Sequence, residues 1–281
     1  MAEILSGKVV AQAISANLEE RIANLKAKGV EPCLAIIRMG EEPGDLSYER
    51  SIRRTCEPLG IKIELFALGR EDSQDNILNC VKSVNADDNI HGCIIMRPLP
   101  RHVDQALVCE ALAVEKDVDC ITGKSLSGLM IGDKMSFRPC TAQACVEILD
   151  YYGYALAGER VAVLGRSLAV GRSLSLMLQD RNATVTMCHS KTLDLPKVCK
   201  ENKILVAAVG KAKLVGSEYV KEGHVIVDVG INVDENGKLC GDVDREAVEN
   251  TVAAISPVPG GVGGITVAVL ASHVIEAAER G

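Results

Sequence analysis

Tryptophan is absent from this chain and phenylalanine occurs twice, so aromatic residues make up 2% of its 281 positions. That scarcity excludes the stacked-ring platforms that bind single-stranded nucleic acid, and it leaves the core to Val, Ile, Leu and Ala. Aliphatic cores of this kind suit parallel strands covered by helices. Positive charge is also in short supply. The net charge is −7 and no basic patch stands out, so any recognition of phosphate must be local. The N-terminal residues lack a cationic stretch followed by an apolar one, and no apolar run reads as long enough to span a bilayer. A cytoplasmic protein is expected, with neither nucleic acid nor membrane among its partners. Cysteine is plentiful at 11, yet no Cys-x-x-Cys pair and no Cys/His cluster of zinc spacing occurs. The cysteines therefore read as reduced, mostly buried small hydrophobes, and no metal site is expected. What is present is length enough for two ordinary domains and a 47% hydrophobic content that can bury a sizeable core.

Alternation of strand and helix patterns runs through the chain. Ser6 can cap a helix whose apolar face carries Val9, Val10, Ala13, Ile14 and Leu18, and Gly29 ends it. Strand Cys33–Ile37, helix Asp45–Leu59, strand Ile61–Phe66, helix Ser73–Val84 and strand Gly92–Met96 follow. Pro98-Leu99-Pro100 then breaks the ladder. A Gly/Ser-containing stretch at 123–132 precedes a helix over Ala142–Tyr152 and a second set of strands at 160–164, 183–188, 204–208, 224–229 and 252–255. A last helix runs from Thr266 to Ala278. Such alternation implies an α/β fold with parallel sheets. The spacing predicts two α/β domains, 1–140 and 141–265, around a cleft near 119–141, with the helix at 266–281 packing back on the first.

The most telling segment is 160–172, where the apolar run Val161–Leu164 breaks at Gly165 into Arg166-Ser167 and a helical pattern with Gly171. A strand, tight turn and helix in that order can hold a pyrophosphate on the helix N-terminus. The glycine spacing departs from G-x-G-x-x-G, so the loop alone is a weak signal.

Taken in order, Tyr48, Pro98-Leu99-Pro100, Lys116-Asp117-Val118-Asp119, Pro139-Cys140-Thr141, Gly165-Arg166-Ser167-Leu168-Ala169-Val170-Gly171, Asp228-Val229-Gly230-Ile231-Asn232, Gly241-Asp242-Val243-Asp244 and Pro257-Val258-Pro259-Gly260-Gly261-Val262-Gly263 form a specific set. The set resembles the methylenetetrahydrofolate dehydrogenase/methenyltetrahydrofolate cyclohydrolase family over nearly the whole chain. That resemblance implies a second domain of Rossmann type with helices on both faces of its parallel sheet, a homodimer formed through the cofactor domains, and tetrahydrofolate derivatives as substrates. It implies Tyr48 and Asp119 as catalytic residues. Substrate contacts are implied for Tyr48, Leu99, Pro100, Asp119, Pro259, Gly260 and Gly261, and cofactor contacts for Thr141, Gly165, Arg166, Ser167, Ser190, Lys191 and Ile231. These residues suit the roles: a carboxylate can accept two N–H bonds from an aminopyrimidine edge, and two successive glycines let backbone approach a flat ring.

Two positions depart from the family. Its lysine four residues after the tyrosine is Ile52 here, and its glutamine before Pro-Leu-Pro is Met96. Arg53 and Arg54 project well away from Tyr48 on the helix, whereas Ile52 lies within about 40°. Replacing both members of a polar pair leaves no buried polar group unsatisfied. The expectation is a dehydrogenase with weak or absent cyclohydrolase activity. A bifunctional enzyme and a non-catalytic folate- or nucleotide-binding protein are the alternatives. The segment Thr184–Lys191 holds no acid for ribose hydroxyls, and Arg166, Ser190 and Lys191 can hold a 2′-phosphate, so NADP is expected and NAD is the alternative.

Overall fold

A computed structural model describes every residue of the chain except Lys134. In chain order the strands are β1 (Glu3–Ile4), β2 (Cys33–Met39), β3 (Lys62–Leu68), β4 (Gly92–Ile95), β5 (Arg160–Leu164), β6 (Thr184–Cys188), β7 (Ile204–Ala207), β8 (Val225–Asp228), β9 (Asn232–Val233), β10 (Leu239–Cys240) and β11 (Ala254–Ile255). The helices are α1 (Gly7–Ala27), α2 (Pro43–Leu59), α3 (Gln74–Ala86), α4 (Gln105–Glu110), α5 (Gly123–Ile131), α6 (Cys140–Tyr151), α7 (Ser173–Asp180), α8 (Leu195–Lys200), α9 (Arg245–Val248) and α10 (Val262–Arg280).

Two compact units result. One comprises Gln12–Cys140 and Val267–Gly281, the other Met1–Ala11 and Thr141–Thr266. The first is built on a three-stranded parallel sheet, β3-β2-β4, with Leu34 opposite both Ile63 and Gly92. All seven residues of β2 are buried, as befits a central strand covered on both faces. Its core gathers Ala35, Ile37, Ile77, Val81, Cys93 and Ile95. The second unit carries a six-stranded sheet in the order β1-β11-β8-β7-β5-β6, every pairing parallel, and a separate antiparallel β9–β10 ribbon. The chain moves from β5 to β6 on one side and then to β7 on the other, which makes a topological switch at β5.

Several expectations are corrected. Residues 1–11 belong with the second unit, because β1 returns to pair in parallel with β11, Glu3 opposite Ala254 and Ile4 opposite Ile255. The stretch at 123–132 is a helix, α5: Thr122 caps it by accepting from the Ser125 N–H at 3.1 Å, and Gly132 ends it at φ 71°. The last helix begins at Val262, ahead of the expected start. It is long and apolar enough to cross a membrane by length and composition, but 72% of that window is buried within the protein, as in a core helix. Ser6 precedes α1, yet it is the Ser6 N–H that is engaged, donating to the Tyr152 hydroxyl at 2.8 Å.

Candidate active site

In the three-stranded unit the loop after β4 and the loop at 117–122 bring their side chains together. The Met96 N–H still donates to Ile37 at 2.9 Å, so the ladder runs one residue past β4 before Pro98 ends it. Leu99 is buried, and its N–H donates to Gln105 Oε1 at 3.1 Å; Pro100 is half-buried. In the second loop two carboxylates two residues apart have different fates. Asp117 is fully buried and accepts from the N–H groups of Ile121 and Thr122 at 2.9 Å, which folds the loop around it. Asp119 is left with its carboxylate free for other partners.

Those partners are Arg97 and Cys140. Arg97 Nη2 donates to Asp119 Oδ2 at 3.3 Å, and the side chains keep 29% and 19% of their surface exposed. Burial raises the Asp119 carboxyl above its ordinary range, while Arg97 and Cys140 pull it back down. The Cys140 thiol donates its single proton to the Val118 carbonyl at 3.4 Å, to which His273 Nδ1 donates at 2.8 Å. Burial pushes the thiol well up and His273 down to about 4, so both are neutral near pH 7.

Tyr48, on α2, joins this group. Burial raises its hydroxyl well above the ordinary phenol value; Asp119, Cys140 and Cys56 add to the rise and Arg97 opposes it. It stands as a neutral hydroxyl able to donate or accept. Ile52, one turn further along α2, has no exposed surface and Met96 has 4%, so both replaced positions are closed to water; the other buried α2 residues are Cys56 and Glu49, which is paired with the buried Arg38 at 3.2 Å. Arg53 is engaged elsewhere, with Glu49 at 3.0 Å and Glu57 at 3.1 Å. Sequence reasoning missed Arg97. Its signal was a cation at the C-terminal end of an otherwise apolar strand, where ligands commonly bind in α/β folds.

In the six-stranded unit the turn after β5 has the geometry of a phosphate cradle. Gly165 lies at φ 126°, and a Cβ there would collide with the Ala208 carbonyl beyond β7, across the topological switch. A Cβ at Gly171 would collide with the Gly165 carbonyl. Both glycines are thus fixed by close backbone approach. Ser167 caps the helical turn Leu168–Arg172 by accepting from the Val170 N–H at 3.2 Å, and α7 continues from it. Arg166, Ser190 and Lys191 are exposed, and among the described residues neither cation is in an ion pair. Lys191 follows β6 in a turn in which its N–H donates to His189 Nδ1 at 3.1 Å. Thr141 lies in the first turn of α6, and Ile231 is 73% exposed beside β9.

Two buried aspartates, quoted above only within motifs, organise the neighbouring loops. Asp228 accepts from the N–H groups of Gly230, Asp242 and Val243, each at 3.0 Å. Asp242 accepts from Val209 at 2.6 Å, Gly210 at 3.1 Å, Lys211 at 2.8 Å and Asn232 Nδ2 at 2.9 Å. Together they fix the loops beyond β7 and β8 to the ribbon. The turn Pro257–Gly261 is approached closely by the start of α1: the Gly7 N–H donates to the Gly260 carbonyl at 2.8 Å, and a Cβ at Gly7 would strike the Gly261 carbonyl.

Comparison with known proteins places these features in context. Residues 5–119 match the family model described as tetrahydrofolate dehydrogenase/cyclohydrolase, catalytic domain, and residues 139–281 match its NAD(P)-binding domain. The chain is 46% identical over 280 residues to the bifunctional protein FolD of Clostridium botulinum, covering 100% of this chain and 99% of that one. It superposes on the bifunctional methylenetetrahydrofolate dehydrogenase/cyclohydrolase of Campylobacter jejuni with a TM-score of 0.97 at 37% identity, covering 100% and 99% of the two chains. The Trypanosoma brucei methylenetetrahydrofolate dehydrogenase-cyclohydrolase, solved with NADP and an inhibitor, gives a TM-score of 0.94 at 32% identity over 99% and 98%.

Proposed function

The chain belongs to the tetrahydrofolate dehydrogenase/cyclohydrolase family, and from that premise we propose that it oxidises 5,10-methylenetetrahydrofolate to 5,10-methenyltetrahydrofolate with NADP while hydrolysing the product weakly or not at all. The observation that carries the second half is that both replaced positions, Ile52 one turn after Tyr48 on α2 and Met96 next to Arg97 in the chain, are apolar and buried. Hydration of the methenyl carbon needs a group that moves a proton. The cation paired with Asp119 is Arg97, and a guanidinium stays protonated and cannot act as a base. Tyr48 is a neutral phenol held far from ionisation.

Oxidation asks less of side chains. The C–H bond of the methylene carbon breaks while a folate nitrogen lone pair forms the new C=N bond, so the protein's task is placement. Asp119 accepts from the pterin, Tyr48 flanks the ring, and Leu99 and Pro100 shape its seat. NADP, when bound, supplies the acceptor for the departing hydride. Gly165, Ser167 and the helical turn after them fit its pyrophosphate, and the exposed Arg166 and Lys191 with Ser190 fit a 2′-phosphate. The absence of an acid in Thr184–Lys191 and the NADP in the T. brucei relative support this choice over NAD. Thr141, Ile231 and the Pro259–Gly261 turn complete the assignment. A cytoplasmic homodimer through the six-stranded units belongs to the same proposal, supported by the exposed apolar residues Ile231, Val233 and Leu239 at the ribbon.

A second reading, in which hydrolysis is retained, is favoured by the bifunctional names of the C. botulinum and C. jejuni relatives. An assay that follows methenyl- and formyl-tetrahydrofolate separately decides between them. Methenyltetrahydrofolate is expected to accumulate and to decay at the rate of the buffer alone. Enzyme-dependent formation of formyltetrahydrofolate would establish the bifunctional reading instead.

A further inference from the structure

The Arg97–Asp119 pair has more hydrogen-bonding capacity than the protein uses. A guanidinium carries five N–H donors. Among the described residues that of Arg97 makes one hydrogen bond, to Asp119, and its buried Nε–H has no partner. An unsatisfied buried donor is costly and calls for a cause. Asp119 also has Cys140 as a neighbour, which with Arg97 opposes the rise that burial imposes on its carboxyl. Both side chains keep part of their surface open.

Placed side by side, the carboxylate offers two acceptors and the guanidinium offers donors next to them. The edge of a pterin presents the complementary series: the 2-amino group and N3–H donate, and the 4-oxo group accepts. Resting on the folate reading above, we infer that Arg97 is a specificity-determining residue, donating to the 4-oxo oxygen of a pterin whose 2-amino and N3–H groups are held by Asp119. The planar fork of arginine suits this task better than the point charge of a lysine. A 4-amino analogue would turn a donor toward the guanidinium. It would lose that charge-assisted bond and leave Arg97 unsatisfied, and its bare N3 would also cost Asp119 a donor, the situation in which a polar site discriminates strongly.

Folic acid and aminopterin differ at the 4-position and, with it, at N3, which carries a proton only in folic acid, so the contact of Arg97 is read from how the preference changes when Arg97 alone is replaced. Their equilibrium binding to the full-length protein is measured by calorimetry at pH 7.5 for the unaltered chain, Arg97→Leu, Arg97→Gln and Asp119→Asn. NADP is titrated into each protein to verify that the fold is intact. The unaltered chain should prefer folic acid by at least about 10–100-fold, the range expected of a single hydrogen bond to a charged group. Arg97→Leu should lose about 10–100-fold for folic acid alone, leaving only the preference owed to the N3–H on Asp119. Arg97→Gln, which keeps an N–H donor, should show a preference between those of Arg97→Leu and the unaltered chain. Asp119→Asn should weaken both ligands. An equal loss of both ligands in Arg97→Leu would mean that Arg97 merely orients Asp119, and an undiminished preference would mean that it does not meet the 4-position. Either result overturns the inference. If the unaltered chain binds NADP but neither pterin, the folate reading itself fails and the inference falls with it.

Discussion

Placing a lysine at position 52 would test how tightly that site is closed. Ile52 has no exposed surface and Cys56 on α2 is equally buried; the buried Glu49, one turn before, is already paired with Arg38 at 3.2 Å and Arg53 at 3.0 Å, and Met96, at 4% exposure, offers no strong acceptor. An ammonium there must sit in apolar surroundings or give up its proton. Buried lysines with pKa values of about 5–6 set the scale. Starting from an unfolded value of about 10.4, deprotonation at pH 7 costs about 1.4 kcal/mol per unit, or about 4–5 kcal/mol in all. That is comparable with the whole stability of many domains, about 5–15 kcal/mol. The sign follows from linkage. The folded lysine would titrate below the unfolded one, so the unfolded chain binds more protons between the two values and stability rises with pH across that window. Urea unfolding of Ile52→Lys and the unaltered chain at pH 7, 8 and 9 should show the deficit shrinking by about 1.4 kcal/mol per unit. Adding Met96→Gln supplies an acceptor for the ammonium and should recover about 1.5–3 kcal/mol. The double variant should also gain methenyltetrahydrofolate hydrolysis, which the single one gains poorly. A lysine at 52 that leaves stability and its pH slope unchanged would show that the position is wet, and the argument from a closed apolar pair would collapse.

Neutralising Arg166 and Lys191 together should cut kcat/KM with NADP by at least ten times more than with NAD; a parallel loss with both would mean that these residues shape the turn rather than read a phosphate. Gly165→Ala forces a side chain onto φ 126° and into the Ala208 carbonyl, and should cost about 2–5 kcal/mol in urea unfolding together with NADP affinity. A variant of parental stability would remove the close approach as the reason for that glycine. His273, buried and pushed down to about 4 from an unfolded value near 6.5, stays neutral in the folded chain, so its stabilising share is lost as pH falls through that window. Between pH 7 and pH 5 the unaltered chain should therefore lose about 2 kcal/mol more than His273→Asn, whose amide can still donate to Val118. The opposite contribution of Asp228, raised to about 6, is common to both proteins and cancels in that difference. Equal acid losses in the two chains would show that His273 is protonated in the folded state.

Much of this protein was written locally. The alternating elements, Gly165 as the turn after a buried strand and the apolar replacements at 52 and 96 depend on residues near one another in the chain, where backbone preferences and side-chain periodicity act directly. Two acids in Lys116-Asp117-Val118-Asp119 were visible, but not which one the loop would consume. Their difference arises because Asp117 is ringed by its own loop's N–H groups while Asp119 meets a guanidinium from 22 residues earlier in the chain. Neither the return of Glu3–Ile4 to β11 nor the seating of Gly7 against Gly260 has a local cause, since each joins segments about 250 residues apart. The sequence determined which elements form and which chemical groups are available. Only the tertiary structure decided which of those groups meet, because contacts across such separations are selected by the packing of whole sheets and not by the residues beside them.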